Sequence, residues 1–230
     1  MLVLIAAAPF EFAGLSGLER GSLRGVRWLA RTEIGGDEAI LVANGAGPRA
    51  AAAGIRGVLA RYEASGLVST GFAGALDPTL DIGQVLVADA VLYRERRYPG
   101  WLPPVRPATV RVGSFMTVSE IVRTARTKRE LWARGCHAVD MESGAVAAVA
   151  AERGLPFCCI RAISDSARRD LPLDFQRALR RDGSLSAGSL LRQAVPRPRA
   201  WPGLLGLWRA SRLAAQSLAE ALGECDLQMT

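Results

Sequence analysis

Two acid-bearing segments dominate the chemistry of this chain: Ala138-Val-Asp-Met-Glu-Ser-Gly-Ala145, and Cys159-Ile-Arg-Ala-Ile-Ser-Asp165 a short way downstream. Each reads as an apolar strand that ends in acid, with a small-residue helix opening at Ser143 between them. In α/β proteins, functional groups collect at the carboxyl ends of strands. If extended geometry persists, Arg161, Ile163 and Asp165 share one face of the second strand. The start of the helix beside Asp140, Met141 and Glu142 favours an ionised carboxylate, which is suited to accept hydrogen bonds from a vicinal diol. A carboxyl in a drier pocket would instead hold its proton and could donate it. Two acids in contrasting surroundings are material for acid-assisted cleavage of a sugar bond through an oxocarbenium-like transition state. The plainer alternative is a set of helix caps and surface ion pairs.

These groups need elements to hold them. Residues 2–8 form a continuous apolar run, as in a central strand covered on both faces. Glu11 follows between Phe10 and Phe12, either as a solvated helix-start glutamate or as a site residue at a strand end. Strands are predicted over 26–32 and 39–43. The turn Asn44-Gly-Ala-Gly-Pro-Arg49 then opens an alanine-rich helix reaching about Tyr62, a plausible anion-accepting N-terminus. A strand over 66–70 runs into the turn Gly71-Phe-Ala-Gly-Ala-Leu-Asp-Pro78, whose Gly71 and Gly74 allow close backbone approach. After a long strand following Asp81, the proline-, arginine- and aromatic-rich residues 93–108 are predicted as an irregular loop, a lid or docking surface. A strand over 109–118 and an exposed helix over 124–134 come next. Short helices are expected over 174–181 and 185–195, then an amphipathic helix over 203–222 that packs on the body, a second subunit or a membrane surface. The whole of 1–230 reads as one domain.

Composition narrows the classes. The chain has 230 residues, half of them apolar, enough for one sizeable core. The net charge of +7 is carried almost entirely by arginine, with Lys128 the sole lysine, and no basic run or aromatic-interleaved basic motif suggests nucleic-acid binding. Cys136, Cys158, Cys159 and Cys225 lack metal-ligand spacing, and the single histidine, His137, leaves no material for a histidine metal site. No metal or cofactor is expected. The N-terminus lacks a basic leader region and no segment approaches a membrane span, so a cytoplasmic chain is expected, with peripheral membrane contact open.

The pair Val139-Asp-Met-Glu-Ser-Gly-Ala-Val146 and Ile160-Arg-Ala-Ile-Ser-Asp165 resembles the signature of the nucleoside phosphorylase and 5′-methylthioadenosine/S-adenosylhomocysteine nucleosidase superfamily. The turn Thr70–Pro78, the loop Asn44-Gly-Ala-Gly47 and Glu11 extend the resemblance over about residues 1–185. It implies an α/β, three-layer nucleoside phosphorylase-like fold, with a mixed, partly barrel-like sheet flanked by helices, in a homodimer or larger oligomer. It further implies that Asp165 protonates the purine N7 and that Glu142 binds the ribose hydroxyls, with Met141 packing under the sugar. Ala73 and Gly74 would line the site through their backbone and Ile121 and Val122 would flank the base. Glu11 would orient or activate the attacking water, and Arg161 would hold the polar network.

Phe72 departs from the pattern, which places serine after the glycine of this turn. That serine commonly contacts the nucleophile, so water and phosphate both stay open. Gly45 and Arg49 are the candidates for holding phosphate as co-substrate, whereas Glu11 would repel a phosphate dianion and so favours water. The Phe10-Glu11-Phe12 start, the loop near Trp101 and the Leu/Trp-rich C-terminal helix also resemble the hopanoid-associated phosphorylases. That narrower resemblance implies adenosylhopane as substrate, with Phe10, Phe12, Phe72 and Trp101 suiting its apolar 5′ group. A methylthioadenosine-type nucleosidase, a purine nucleoside phosphorylase and a non-catalytic nucleoside- or lipid-binding protein are the alternatives.

Overall fold

A computed structural model describes residues 1–229. In chain order, β1 (Leu2–Ala6) leads to a 3-10 turn (Pro9–Phe12), β2 (Glu19–Leu23), β3 (Val26–Ile34), β4 (Asp37–Ala43) and α1 (Pro48–Leu59). Then follow β5 (Gly66–Ala75), β6 (Val85–Tyr93), β7 (Arg96–Pro99), β8 (Arg111–Thr117), α2 (Ala125–Trp132), β9 (Ala138–Asp140) and α3 (Ser143–Arg153). The chain ends with β10 (Phe157–Asp165), α4 (Phe175–Ala178), α5 (Ala187–Ala194) and α6 (Trp201–Glu224).

All ten strands join one mixed sheet in the order β10-β6-β8-β9-β5-β1-β4-β3-β2, with β7 hydrogen-bonded to β6. An additional β10–β5 pairing closes β5, β9, β8, β6 and β10 into a ring, so the expected partly barrel-like sheet is present. The strand β1 is buried along its whole length, because alternate side chains enter two different cores. Val3 and Ile5 belong to one core with Ile55 and Val58 of α1 and Val146 and Val149 of α3, while Leu2 and Leu4 belong to a second with Ala214, Leu218 and Leu222 of α6. This gives three layers, helix–sheet–helix, with the acid-bearing strand ends between the two helical faces.

Three elements differ from the sequence expectations. The predicted turn beginning at Gly71 is strand: β5 continues to Ala75, since its partner β10 supplies a ladder as far as Gly74. Residues 93–108 are not wholly irregular. The segment Arg96–Pro99 folds back on β6 through Arg94 and Glu95, which adopt positive φ of 49° and 65°. Proline is tolerated there because β7 is an edge strand. The exposed ribbon β2, paired with β3, carries no apolar alternation, which hid it from sequence.

Candidate active site

The site is built on two neighbouring parallel strands. In the β5–β10 register Arg161 lies opposite Gly71, and a shift after Ile163 brings Asp165 opposite Gly74. Such bulges re-aim a side chain at a strand end. Glu11, from the turn after β1, is 6% exposed and leans on β5: its Oε1 accepts the Phe72 N–H at 2.9 Å and its Oε2 the Ala8 N–H at 2.8 Å. A Cβ on Gly71 would stand 2.6 Å from Glu11 Oε1, and the residue has φ +115°, so only glycine serves there. At Gly74 the close neighbour is the Asp165 carboxylate, 3.1 Å from a would-be Cβ. The two glycines thus clear space for two carboxylates.

Arg161 organises the remainder. It is fully enclosed, donates from Nη1 to Phe72 O at 2.9 Å and from Nη2 to Ser69 Oγ at 2.8 Å, and pairs with Glu142 Oε2 at 3.2 Å. Its Nε stands 2.8 Å from Asp140 Oδ2, yet the N–H is not aimed at an acceptor, so this is a charge contact without an aligned hydrogen bond. Asp140 itself accepts from Thr117 Oγ1 at 2.7 Å and meets the Ser143 N–H at the start of α3. Glu142 Oε1 accepts the Gly47 N–H at 2.8 Å. One guanidinium therefore serves Asp140 and Glu142 and feels Glu11 as well. Burial pushes Glu142 up to about 7, Arg161 offsetting it and Asp140 and Glu11 adding to it. Glu11 is also raised, again by burial first. Against the expectation that the helix start favours an ionised carboxylate, loss of water on burial pushes Glu142 the other way.

Asp165 has a partner that sequence reasoning missed. Lys128 Nζ donates to Asp165 Oδ2 and, at 2.7 Å, to Ser166 O, while Ser164 Oγ donates to Asp165 Oδ1 at 3.0 Å. The Lys128 side chain is 0% exposed and that of Asp165 18%. The predicted exposed helix over 124–134 therefore turns one residue fully inward, and the only available signal was a lone lysine in a chain otherwise basic through arginine.

Asp165 opens on a large cleft of about 1170 Å³, lined by Phe10, Ile121, Phe175, Leu204, Leu207 and Trp208 among others. Val122 instead packs into a small core with Met116 and Val139. Met141 lines a second cleft of about 620 Å³ with Gly47 and Thr117, and Ala73 is buried in β5 between the Glu11 and Asp165 positions. Arg161, expected to hold the polar network of the substrate site, lines neither cleft and acts on the acids. Phe72 packs edge-on against Phe10, ring centroids 5.4 Å apart. Phe12 is wholly buried, stacked on Trp28 at 5.6 Å, and Trp101 packs against the core, so neither is available to a 5′ group. The phosphate expectation at Gly45 meets an obstacle: its N–H donates to Ala7 O at 3.0 Å, and that of Ala46 to Gly183 O at 2.8 Å. With Gly47 N–H given to Glu142, the loop amides are taken up internally. Arg49 is exposed on the rim of the second cleft.

The profile of the phosphorylase superfamily matches residues 2–109 and 105–195. The 5′-methylthioadenosine/S-adenosylhomocysteine nucleosidase of Mycobacterium bovis is 32% identical over 181 residues, covering 57% of this chain and 71% of the relative. The fold resembles that of the Streptococcus pneumoniae enzyme of the same name, solved with the transition-state inhibitor MT-ImmA. The TM-score is 0.70 at 20% identity, over 98% of this chain and 99% of the other. It also resembles futalosine hydrolase of Helicobacter pylori, with a TM-score of 0.66 at 17% identity over 96% and 94%.

Proposed function

We propose a definite reaction for this chain, which belongs to the phosphorylase superfamily and is an N-glycosidase: hydrolysis of a purine nucleoside with release of adenine. The observation that carries it is the surplus of carboxylates. Asp140, Glu142 and Glu11 surround one cation, Arg161, in a dry setting, so the carboxyls outnumber the guanidinium and the cluster is electronegative whenever more than one of them is ionised. Such a site favours a sugar that becomes positive as its bond to the base breaks, and electrostatic preorganisation of this kind is often the largest catalytic contribution. In this reading Glu142 accepts the ribose hydroxyls, with Met141 beneath the ring. Asp165 delivers a proton to N7 as the C1′–N9 electrons move onto the base. Glu11 takes a proton from the water that attacks C1′; its raised affinity for protons makes it a better base than an ordinary carboxylate.

The same surplus opposes a phosphate dianion, and the loop amides that would cradle one are already bonded within the chain. Water is therefore the nucleophile. Product analysis tests this: adenine and free sugar should form at a rate indifferent to phosphate, and a sugar 1-phosphate would overturn it.

We further propose a large apolar 5′ group, as in adenosylhopane. At about 1170 Å³ the cleft at Asp165 exceeds what a nucleoside alone fills, and its far wall is Leu204, Leu207 and Trp208 of α6. Beyond it Trp201, Leu205, Leu191 and Val195 are exposed among Arg192, Arg197, Arg199 and Arg209, a composition suited to an anionic bilayer surface that would hold such a substrate. No helix of the described residues is long and apolar enough to cross a membrane. The ratio of kcat/KM for adenosylhopane over methylthioadenosine tests the proposal; a ratio below one would reverse the assignment.

A further inference from the structure

We propose that Lys128 supplies the proton that Asp165 passes to the leaving base, so that the lysine–aspartate pair and not the aspartate alone is the acid of the reaction. This rests on the reading of Asp165 as the residue facing N7. Lys128 acts through Asp165 and is a positioning and proton-supplying residue, without contact to substrate.

Three observations lead here. Both Asp165 oxygens already accept hydrogen bonds, Oδ2 from the Lys128 ammonium and Oδ1 from Ser164 Oγ, so the donor nearest the carboxyl on one side is a group that can itself release a proton. Lys128 is completely enclosed, and enclosing an ammonium is costly unless its partners offset the lost hydration. The chain nevertheless buries its only lysine at this point, although its other basic residues are arginines apart from His137. Arginine could make the same ion pair but does not release its proton under any ordinary condition, whereas a desolvated ammonium can. The residue type is thus the one that fits proton delivery rather than charge pairing alone. The charges facing the pair are Asp170, which accepts the Ala125 N–H at the start of α2, Arg212 and Glu220 across the cleft on α6, and Arg161 with Glu11 and Glu142 behind β10.

The proton count closes. As C1′–N9 breaks, its electron pair goes to the base. Asp165 gives a proton to N7 and takes one from Lys128 Nζ, leaving a neutral amine, a carboxylate and neutral adenine. The water oxygen bonds to C1′ and its proton passes to Glu11. Lys128 then regains a proton from solvent and Glu11 returns one, so one water is consumed and no net proton.

The test is the pH dependence of kcat and KM on methylthioadenosine for the wild type, Lys128→Arg, Lys128→Met and Asp165→Asn, each checked for folding by its thermal melt. The wild type should keep its kcat to pH 8–9, a measurement that needs no variant to fold; activity that already declines tenfold per pH unit from pH 5 upward overturns the proposal. Lys128→Arg, which preserves the ion pair, and Lys128→Met should each lose about 10²-fold in kcat at pH 8 with KM changed only a few-fold. Measured against the wild type at the same pH, both deficits should shrink as the pH falls and Asp165 takes its proton from solvent. Wild-type kcat in Lys128→Arg, or a uniform loss with an unchanged profile in Lys128→Met, reduces the lysine to a structural partner and overturns the proposal. Asp165→Asn separates the two ideas. If it turns over normally, the acid reading itself fails; if it is inactive while both lysine variants behave as wild type, only the lysine proposal fails.

Discussion

Arg161 has three claims on one guanidinium, and that imbalance sets what each acid substitution does. Glu142 is 4% exposed and its proton affinity is raised mainly by burial, so the charged side chain costs the free enzyme stability at neutral pH. Glu142→Gln removes that cost, leaves Arg161 paired with Asp140, and retains an amide oxygen for the Gly47 N–H. It should raise the melting temperature at pH 8 by about 2–4 °C, corresponding to about 1 kcal/mol, while kcat/KM falls and discrimination between ribose and 2′-deoxyribose substrates shrinks. A lower melting temperature would mean that the carboxylate is a net structural asset. Arg161→Met is the opposite case. It strands several buried carboxyls and orphans Phe72 O and Ser69 Oγ, so it should cost about 3–5 kcal/mol or prevent folding, read as a lost urea transition.

At the scale of elements, the β6–β7 hairpin shows why some of the fold was hidden in the sequence. Its turn residues Arg94 and Glu95 both take left-handed backbone, which glycine or asparagine usually signals. Glu95→Gly should therefore stabilise the protein by about 1 kcal/mol, measured as a higher denaturant midpoint with an unchanged slope. The buried strands β1, β4 and β10 were legible because continuous apolar runs have no other home, and α3 because acids and small residues announce its start. The ribbon β2 and the edge strand β7 were not, since each lacks a buried face to impose alternation. The final helix α6 was legible as amphipathic, but not its division. Ala214, Leu218 and Leu222 are core, whereas Trp201, Leu205 and Trp208 near its start are exposed. Deleting the helix would therefore unfold the sheet's second face rather than test a surface. The informative change is Leu191→Glu with Leu205→Glu, which should abolish flotation with anionic vesicles while leaving turnover of methylthioadenosine unchanged; retained flotation would place the contact elsewhere.

Across the whole molecule, the three acids of the site reach it from the turn after β1, the end of β9 and the end of β10. Sequence spacing could pair only the last two, because the closure of the sheet, which pairs β1 with β5 and so seats Glu11 against the Phe72 N–H, is not visible along the chain. The burial that accompanies closure was invisible for the same reason, and it reverses the usual pH response of carboxylates. A group whose proton affinity rises on folding favours the folded state while protonated, so its contribution is complete below its unfolded value and is lost as pH rises through the folded value. For Glu142 that window runs from 4.5 to about 7, with Glu11 displaced in the same direction. Asp77 and Asp182 are lowered, and their contributions disappear only in more acidic solution, below the ordinary aspartate range. Between pH 8 and pH 6 the acid cluster should therefore dominate, and the free enzyme should gain about 1 kcal/mol on acidification, a rise of a few degrees in Tm. Turnover should move oppositely, since Glu11 must be ionised to accept the proton of water: the acid limb of kcat/KM should lie above the ordinary glutamate value, because burial raises the proton affinity of Glu11. Thermal melts and initial rates on the same buffers test both at once. If Tm and kcat/KM instead rise together from pH 6 to pH 8, the buried carboxyls are not the groups that couple folding to catalysis. If the Tm trend persists undiminished in the Glu142→Gln variant, the coupling belongs to some other ionisation.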